Sequence, residues 1–295
     1  MSANLPSDNP GFPRKTVLVV DPDPAVSAML STVLTPAGWE IQKAPDNKAA
    51  LGLIGDRAFD LIVTGEKTSG REDVELLNSI RRVHPHTRMI ILTDASTPAD
   101  VIACIRERAF SYFSKPISLD ALAEIVRIAA EGPCWDDGIE IVSATPAWIR
   151  LVARCDTKTA DRLLQFFKEM SDLPEREKAD AAIAFREILL NAIEHGGHFD
   201  PNQYVEITYV RMRHMVGCRV KDPGTGFSRD ELPHAAISNP PDDPIRHFSV
   251  RQLQNLRPGG FGILMARNLV DELLYNEKGN EVLLVKYLDR GTAPG

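Results

Sequence analysis

Three short runs in the second half of this 295-residue chain combine carboxylates, amides and glycines in ways that suit a charged ligand. In AIAFREILLNAIEHGG (182–197), Glu187 and Asn191 stand four residues apart. On a helix that spacing is one turn, so both polar heads can reach one ligand. His195 continues the stripe, and Gly196 and Gly197 supply a helix stop. In VKDPGTGF (220–227) an apolar strand ends at Asp222 and breaks into Gly224 and Gly226. A carboxylate there can accept from an exocyclic amine, which separates adenine from guanine, and glycines let a ligand approach the backbone. In RPGGFGILMARNLVDEL (257–273), Gly259, Gly260 and Gly262 precede an amphipathic run. Exposed amides at a helix start suit phosphate oxygens. Taken singly, each run also has a plain structural reading: a solvated helix face, an Asp-Pro-Gly turn, a flexible loop.

The elements that must position these residues differ between the two halves. From Thr16, apolar runs (TVLVV, WEIQKA, FDLIVT, MIILT, YFSKP) alternate with helical patterns over 25–37, 48–56, 74–84, 99–109 and 119–131. Apolar runs without internal alternation, separated by helices, indicate a parallel sheet covered on both faces, a doubly wound (βα)5 unit of the α/β class. EGPCWDDG is rich in turn formers and reads as a linker. Beyond it come strand-like IEIVSA and the apolar AWIRLVARC, then helices over 157–170 and 175–195. Strands VEITYVRMR and MVGCRVKD, a proline-rich excursion, a helix from Gly262 and a last strand VLLVKYL follow. Strands grouped against helices indicate an α+β sandwich. The expected organisation is a disordered tail at 1–13, one domain at 14–130, a linker at 131–138 and a second domain at 139–295.

Composition agrees with two globular domains: 43% of residues are hydrophobic and 25% charged. The formal net charge of −7 supplies no global positive field, so nucleic acid is not an expected partner. No run approaches the ~18 apolar residues of a membrane helix, and MSANLPSDNPGFP lacks the apolar core of a signal peptide. A cytoplasmic location without membrane contact is expected. Cys104, Cys134, Cys155 and Cys218 are widely spaced, which fits reduced thiols rather than zinc ligands or disulfides.

In their order and spacing the three runs resemble the N box (Glu-x-x-x-Asn-Ala-x-x-His-Gly) and the two glycine boxes (Asp-x-Gly-x-Gly-Phe and Gly-x-Gly-Ile/Leu) of the GHKL superfamily, over about residues 139–289. The resemblance implies an α/β sandwich of the Bergerat type that binds ATP with Mg²⁺. Asn191 would ligate the Mg²⁺ that bridges the phosphates, Asp222 would meet the adenine amino group, and Gly224, Gly226, Gly260 and Gly262 would shape the pocket and its lid hinges. Such a cation takes most of its ligands from phosphate oxygens. Glu187 would take or orient the proton of an attacking hydroxyl. Arg251 and Arg257 either reach the γ-phosphate or are surface charges on a lid, and His195 and His198 are expected to be structural caps. No histidine lies between Glu131 and Glu187, so the phospho-accepting histidine domain of sensor kinases has no counterpart there. The layout is similar to that of bacterial anti-sigma-factor serine/threonine kinases. That likeness implies a STAS-domain anti-anti-sigma protein as substrate, a sigma factor as a further partner, and a homodimer. A non-catalytic ATP-binding adaptor and an atypical histidine kinase are the alternatives.

The five βα units resemble a flavodoxin-like response-regulator receiver over about residues 14–130. Asp21 matches the first acidic residue after strand one, with Asp23 in the same loop. Thr93 matches the hydroxyl residue after strand four, and Lys115 the lysine after strand five. The phospho-acceptor position falls on Gly65 and the second acidic position on Pro22. Two losses at one site imply a pseudo-receiver that keeps its fold for binding or dimerisation. Glu66 is one residue late, and alternation along a strand turns it away from the site, unless a bulge makes it a fixed phosphate mimic.

Overall fold

The computed structural model describes residues 15–21, 23–65, 70–94, 97–131, 138–227, 239–240, 242–243, 245–253 and 260–288. The expected tail at 1–13, Pro22, Glu66, most of the 131–138 linker with Cys134, Arg257, Gly259 and the side chain of Arg251 lie outside them.

Strands β1 (Thr16–Val20), β2 (Glu40–Lys43), β3 (Leu61–Thr64), β4 (Arg88–Thr93) and β5 (Ser111–Ser114) form a parallel sheet in the order β2-β1-β3-β4-β5. Helices α1 (Pro24–Leu34) and α5 (Leu119–Ala130) bury one face of it. The other face is buried by α2 (Asn47–Asp56), α3 (Gly70–Val83) and α4 (Pro98–Arg106). Cover on both faces is why Val17–Val20 and Met89–Leu92 are buried throughout rather than at alternate positions. Asp23, Asp46, Thr97 and Ser118 cap the N-termini of α1, α2, α4 and α5, each accepting a backbone N–H.

The second sheet is antiparallel. It runs β10 (Glu272–Tyr275), β11 (Glu281–Tyr287), β9 (Met215–Lys221), β8 (Tyr204–Arg211), β7 (Trp148–Arg154), β6 (Ile139–Thr145). Alternate residues such as Ile149, Leu151, Ile207, Tyr209, Cys218 and Val220 face α6 (Thr157–Met170) and α7 (Glu175–Asn191). The opposite face carries ion pairs, including Arg150–Glu206 at 2.8 Å and Arg219–Glu281 at 2.6 Å. The two expected fold classes, a flavodoxin-like parallel sheet and an α/β sandwich, are both present.

Several elements differ from the sequence reading. The long helix stops at Asn191 and continues as a π turn, Ala192–Gly196. Helix α9 ends at Leu269 because Val270 is extended, and the following Glu-Leu-Leu-Tyr run pairs with β11 as β10. Leucine-rich runs carry little strand signal of their own, so the pairing decides. The proline-rich excursion contains α8 (Arg246–Leu253), anchored by buried His247 against Phe248 and Phe261. Cys104, Cys155 and Cys218 are buried free thiols. Among the described residues no helix is long and apolar enough to cross a membrane.

Helix α6 joins the halves. Strand β5 is an edge strand, and Phe110 just before it, with Tyr112 and Ser114 along it, meets a polar stripe of α6 spaced by three and four residues. Arg162 donates to the Phe110 carbonyl (3.1 Å), Gln165 to the Tyr112 carbonyl (3.0 Å), and Glu169 accepts from the Ser114 amide (3.1 Å) and hydroxyl (2.6 Å). The Arg162 guanidinium also stacks 3.9 Å from the centre of the Phe110 ring. Beside this stripe, Leu163, Phe166 and Met170 extend a buried apolar cluster that is continuous with Ile105 and Tyr112 of the first half. Because Gln165 is 7% exposed, removing its amide strands a dry carbonyl. Gln165→Leu should therefore cost ~1–3 kcal/mol in a denaturant titration of the full chain. Unchanged stability would show that the β5 edge needs no partner.

Candidate functional site

Phe185, Ile188 and Leu189 on α7 are buried against α6 and the second sheet, with the Phe185 and Phe167 rings stacked at 4.6 Å. That packing fixes the rotation of α7. It leaves Glu187 and Asn191 on the walls of a cavity of about 870 Å³. Asp222, Gly224, Gly226, Gly260 and Gly262, together with His195 and His198, line the same cavity. The three sequence runs thus converge on one place. The start of α9 lies over α7: a Cβ at Gly262 would fall 2.8 Å from the Glu187 carboxylate and 3.6 Å from the Asn191 amide nitrogen. Arg186 approaches the Glu187 carboxylate at 3.9 Å.

The π turn after Asn191 swings Gly196 onto Asp222. A Cβ at Gly196 would overlap the Asp222 side chain, and one at Gly197 would overlap the Cys155 thiol. These glycines are contact points with the residues that follow β9 and β7 and not simply the expected helix stop, a role that only the fold reveals. Asp222 follows the end of β9, where its Oδ1 accepts the Gly224 amide at 2.8 Å. Burial pushes the Asp222 carboxyl above its ordinary value, an effect that this hydrogen bond partly offsets. Behind it sits Asn280, 7% exposed, which no motif in the sequence points to. Its only sequence signal is a turn-forming Asn-Glu-Lys-Gly-Asn run.

The cavity is acidic. Glu187, Glu194, Asp200, Asp222 and Glu281 line it, and among the described lining residues there is no lysine or arginine. Among the described residues no group of three or more His, Cys, Asp or Glu side chains could hold a metal unaided.

At the C-terminal edge of the parallel sheet, Asp21, Gly65, Thr93 and Lys115 are brought together, as expected for an open α/β sheet. Lys115 Nζ donates to the Gly65 carbonyl at 2.7 Å and lies 3.4 Å from Asp21 Oδ2. Asp21 Oδ1 accepts the Asp23 amide at 2.7 Å, and Asp23 caps α1. Thr93 is fully buried, and its carbonyl accepts the Lys115 amide. A Cβ on residue 65 would coincide with the Asp21 carboxylate. Asp21 therefore fills the space that a side chain at position 65 would need.

The Asp222 carboxyl offers a pH test. Its value is raised above the ordinary 3.8 in the folded state, so its contribution to stability is complete at lower pH and is lost as pH rises through the folded value. Asn keeps the acceptor for Gly224 without the charge. The stability difference between wild type and Asp222→Asn, measured without ligand, should thus shift against the wild type as pH rises above the ordinary carboxyl value of 3.8. A difference that stays flat, or that moves toward the wild type, would contradict the burial assigned to this carboxyl.

Comparison with known proteins agrees with this division. Residues 152–286 match the histidine kinase-like ATPase domain, and residues 17–127 the response regulator receiver domain. The Transcriptional regulatory protein GlrR of Escherichia coli K12 is 28% identical over 140 residues, 46% of this chain and 32% of that protein. Transcriptional regulatory protein TcrA of Mycobacterium tuberculosis H37Rv is 28% identical over 118 residues, 40% of this chain and 47% of that protein. The chain thus matches less than half the length of each. A response regulator from Thermotoga maritima superposes with a TM-score of 0.36 at 24% identity, covering 40% of this chain and 99% of that one. The chain joins a response regulator receiver domain to a histidine kinase-like ATPase domain.

Proposed function

We propose that this protein is an ATP-dependent serine/threonine protein kinase of the anti-sigma-factor type, acting on a STAS-domain partner, whose receiver half does not accept phosphate. The observation that carries the reading is the convergence of Glu187, Asn191, Gly262 and Asp222 on the walls of one cavity, with Gly262 against Glu187 and Asn191. The donor set fits a magnesium nucleotide. An acidic cavity without a described lining cation would repel a bare triphosphate, and a divalent cation offsets that charge while taking its ligands chiefly from phosphate oxygens. Asn191 is the residue that would hold the cation. Mg²⁺ and ATP together would supply an activated phosphoryl group. Asp222 holds an acceptor for the base amine, and Glu187 accepts or orients the hydroxyl proton of the substrate. No histidine lies between Glu131 and Glu187, which favours a hydroxyl acceptor on another protein. A sigma factor as second partner and a homodimer fit the same reading.

Glu187→Gln keeps the shape of the side chain and removes the base. Nucleotide affinity should stay within a few-fold, while transfer to a STAS-domain substrate drops ~10²–10⁴-fold. Label on that substrate should survive acid and be lost in alkali. Acid-labile label would mean a histidine or aspartate kinase, and nucleotide binding without any transfer would mean a non-catalytic adaptor. Asp222→Asn should weaken ATP binding about 10- to 100-fold through the lost charge-assisted hydrogen bond; equal affinity would remove the adenine assignment.

The receiver half lacks an acceptor carboxylate at Gly65, and the Asp21 carboxylate, paired with Lys115, occupies the vacant space. Incubation with acetyl phosphate should therefore leave no acyl phosphate on the full chain. Hydroxylamine-sensitive phosphate on the receiver half would overturn the pseudo-receiver reading.

A further inference from the structure

The turn between β10 and β11 is interlocked with the loop that carries Asp222, and its hydrogen bonds have a fixed direction. Asn276 Oδ1 accepts three backbone amides, those of Gly279 (2.8 Å), Asn280 (3.1 Å) and Glu281 (3.2 Å). An amide oxygen so engaged leaves Asn276 only its nitrogen to offer, and that nitrogen donates to Asn280 Oδ1 at 3.0 Å. Asn280 is oriented in turn: its Nδ2 faces the carbonyls of Gly224 (3.3 Å) and Asp222 (3.5 Å). The Asn280 carbonyl also accepts the Asp222 amide at 3.0 Å. Backbones meet as well, since a Cβ at Gly226 would overlap the Lys278 carbonyl, and one at Gly279 the Phe227 carbonyl.

Asp222 is held on both sides by this arrangement. Its Oδ1 takes the Gly224 amide, and the Gly224 carbonyl takes Asn280 Nδ2. Moving Gly224 would therefore move the carboxylate. Neither Asn276 nor Asn280 lines the cavity, so both act at one remove.

We propose that Asn280, oriented by Asn276, is a positioning residue that sets discrimination for a nucleobase bearing an exocyclic amine. The inference rests on the reading of the cavity as an adenine-nucleotide site. It predicts where selectivity resides: in the position of the Asp222 carboxylate, set through Gly224 by a relay of two asparagine amides. Inosine triphosphate tests it, because it differs from ATP by an oxygen in place of the amine. A carboxylate held in register rejects that oxygen, whereas one free to shift tolerates it.

The measurement is the ratio of dissociation constants for ITP and ATP, determined on the full chain with Mg²⁺ present. Two variants are compared with the wild type. Asn280→Ala removes the donor to Gly224. Asn276→Asp keeps the acceptor for the three backbone amides but loses the donor to Asn280, so the Asn280 amide loses its orientation. Both should lower the ITP/ATP ratio about tenfold, chiefly by weakening ATP. Asn276→Asp leaves the backbone contacts intact and covers the case in which Asn280→Ala fails to fold. A wild type that binds neither nucleotide, or binds both equally, sinks the adenine-site reading itself. A wild type that discriminates, with variants that keep the ratio or weaken both nucleotides alike, overturns only the positioning role.

Discussion

Peptide groups on the open edge of a sheet must find partners when another element covers that edge, and here one helix supplies them. Arg162, Gln165 and Glu169 of α6 meet Phe110, just before β5, and Tyr112 and Ser114 within it in step, because the rise of two strand residues is close to that of one helical turn plus a tilt. A dry, unpaired carbonyl or carboxylate in that contact would be costly, so the match dictates how the two halves meet. Burial pushes the Glu169 carboxyl above the usual range, with the Ser114 hydroxyl and amide pulling the other way. The edge is closed to any further strand, which removes a route to aggregation.

The same helix reaches the cavity lined by Glu187 and Asp222 by packing alone. Phe167 of α6 stacks on Phe185 of α7, and two residues further along α7 stands Glu187. A ring stack in a close-packed interior tolerates little rotation, so the side of α7 that faces the cavity is set by the side that faces α6. Lys115, next to Ser114 in the chain, closes the other end of this path by engaging Gly65 and Asp21. The receiver-like edge, the bridging helix and the cavity helix are thus one packed series, within a single buried cluster.

Much of this was legible in the residues. Unalternating runs such as TVLVV and MIILT announced strands covered on both faces, and the runs that carry Glu187, Asn191, Asp222 and Gly262 suggested one common site; these residues line one cavity. What was not legible depends on partners distant in the chain. The π turn at Ala192–Gly196 has no composition signal; it exists where Gly196 must pass under Asp222. Strand β10 reads as the tail of a helix until β11 pairs with it. Nothing in the sequence marks Arg162 and Gln165 for burial, yet they are buried, since their hydrogen-bond partners, Phe110 and Tyr112, lie some fifty residues earlier.

The sequence alone determined most of the element types and their order, and it singled out Glu187, Asn191, Asp222, Gly224, Gly226, Gly260 and Gly262 among the groups that line the cavity, because periodicity and side-chain chemistry are local properties. It also determined that no carboxylate stands at position 65. Only the tertiary structure decided that Asp21 fills the resulting space, that Asn280 and Asn276 stand behind Asp222, and that α6 completes the edge of β5. Each of these is a contact between segments far apart in the chain, where excluded volume and the need to pair every buried polar group choose among arrangements that local preference leaves equal.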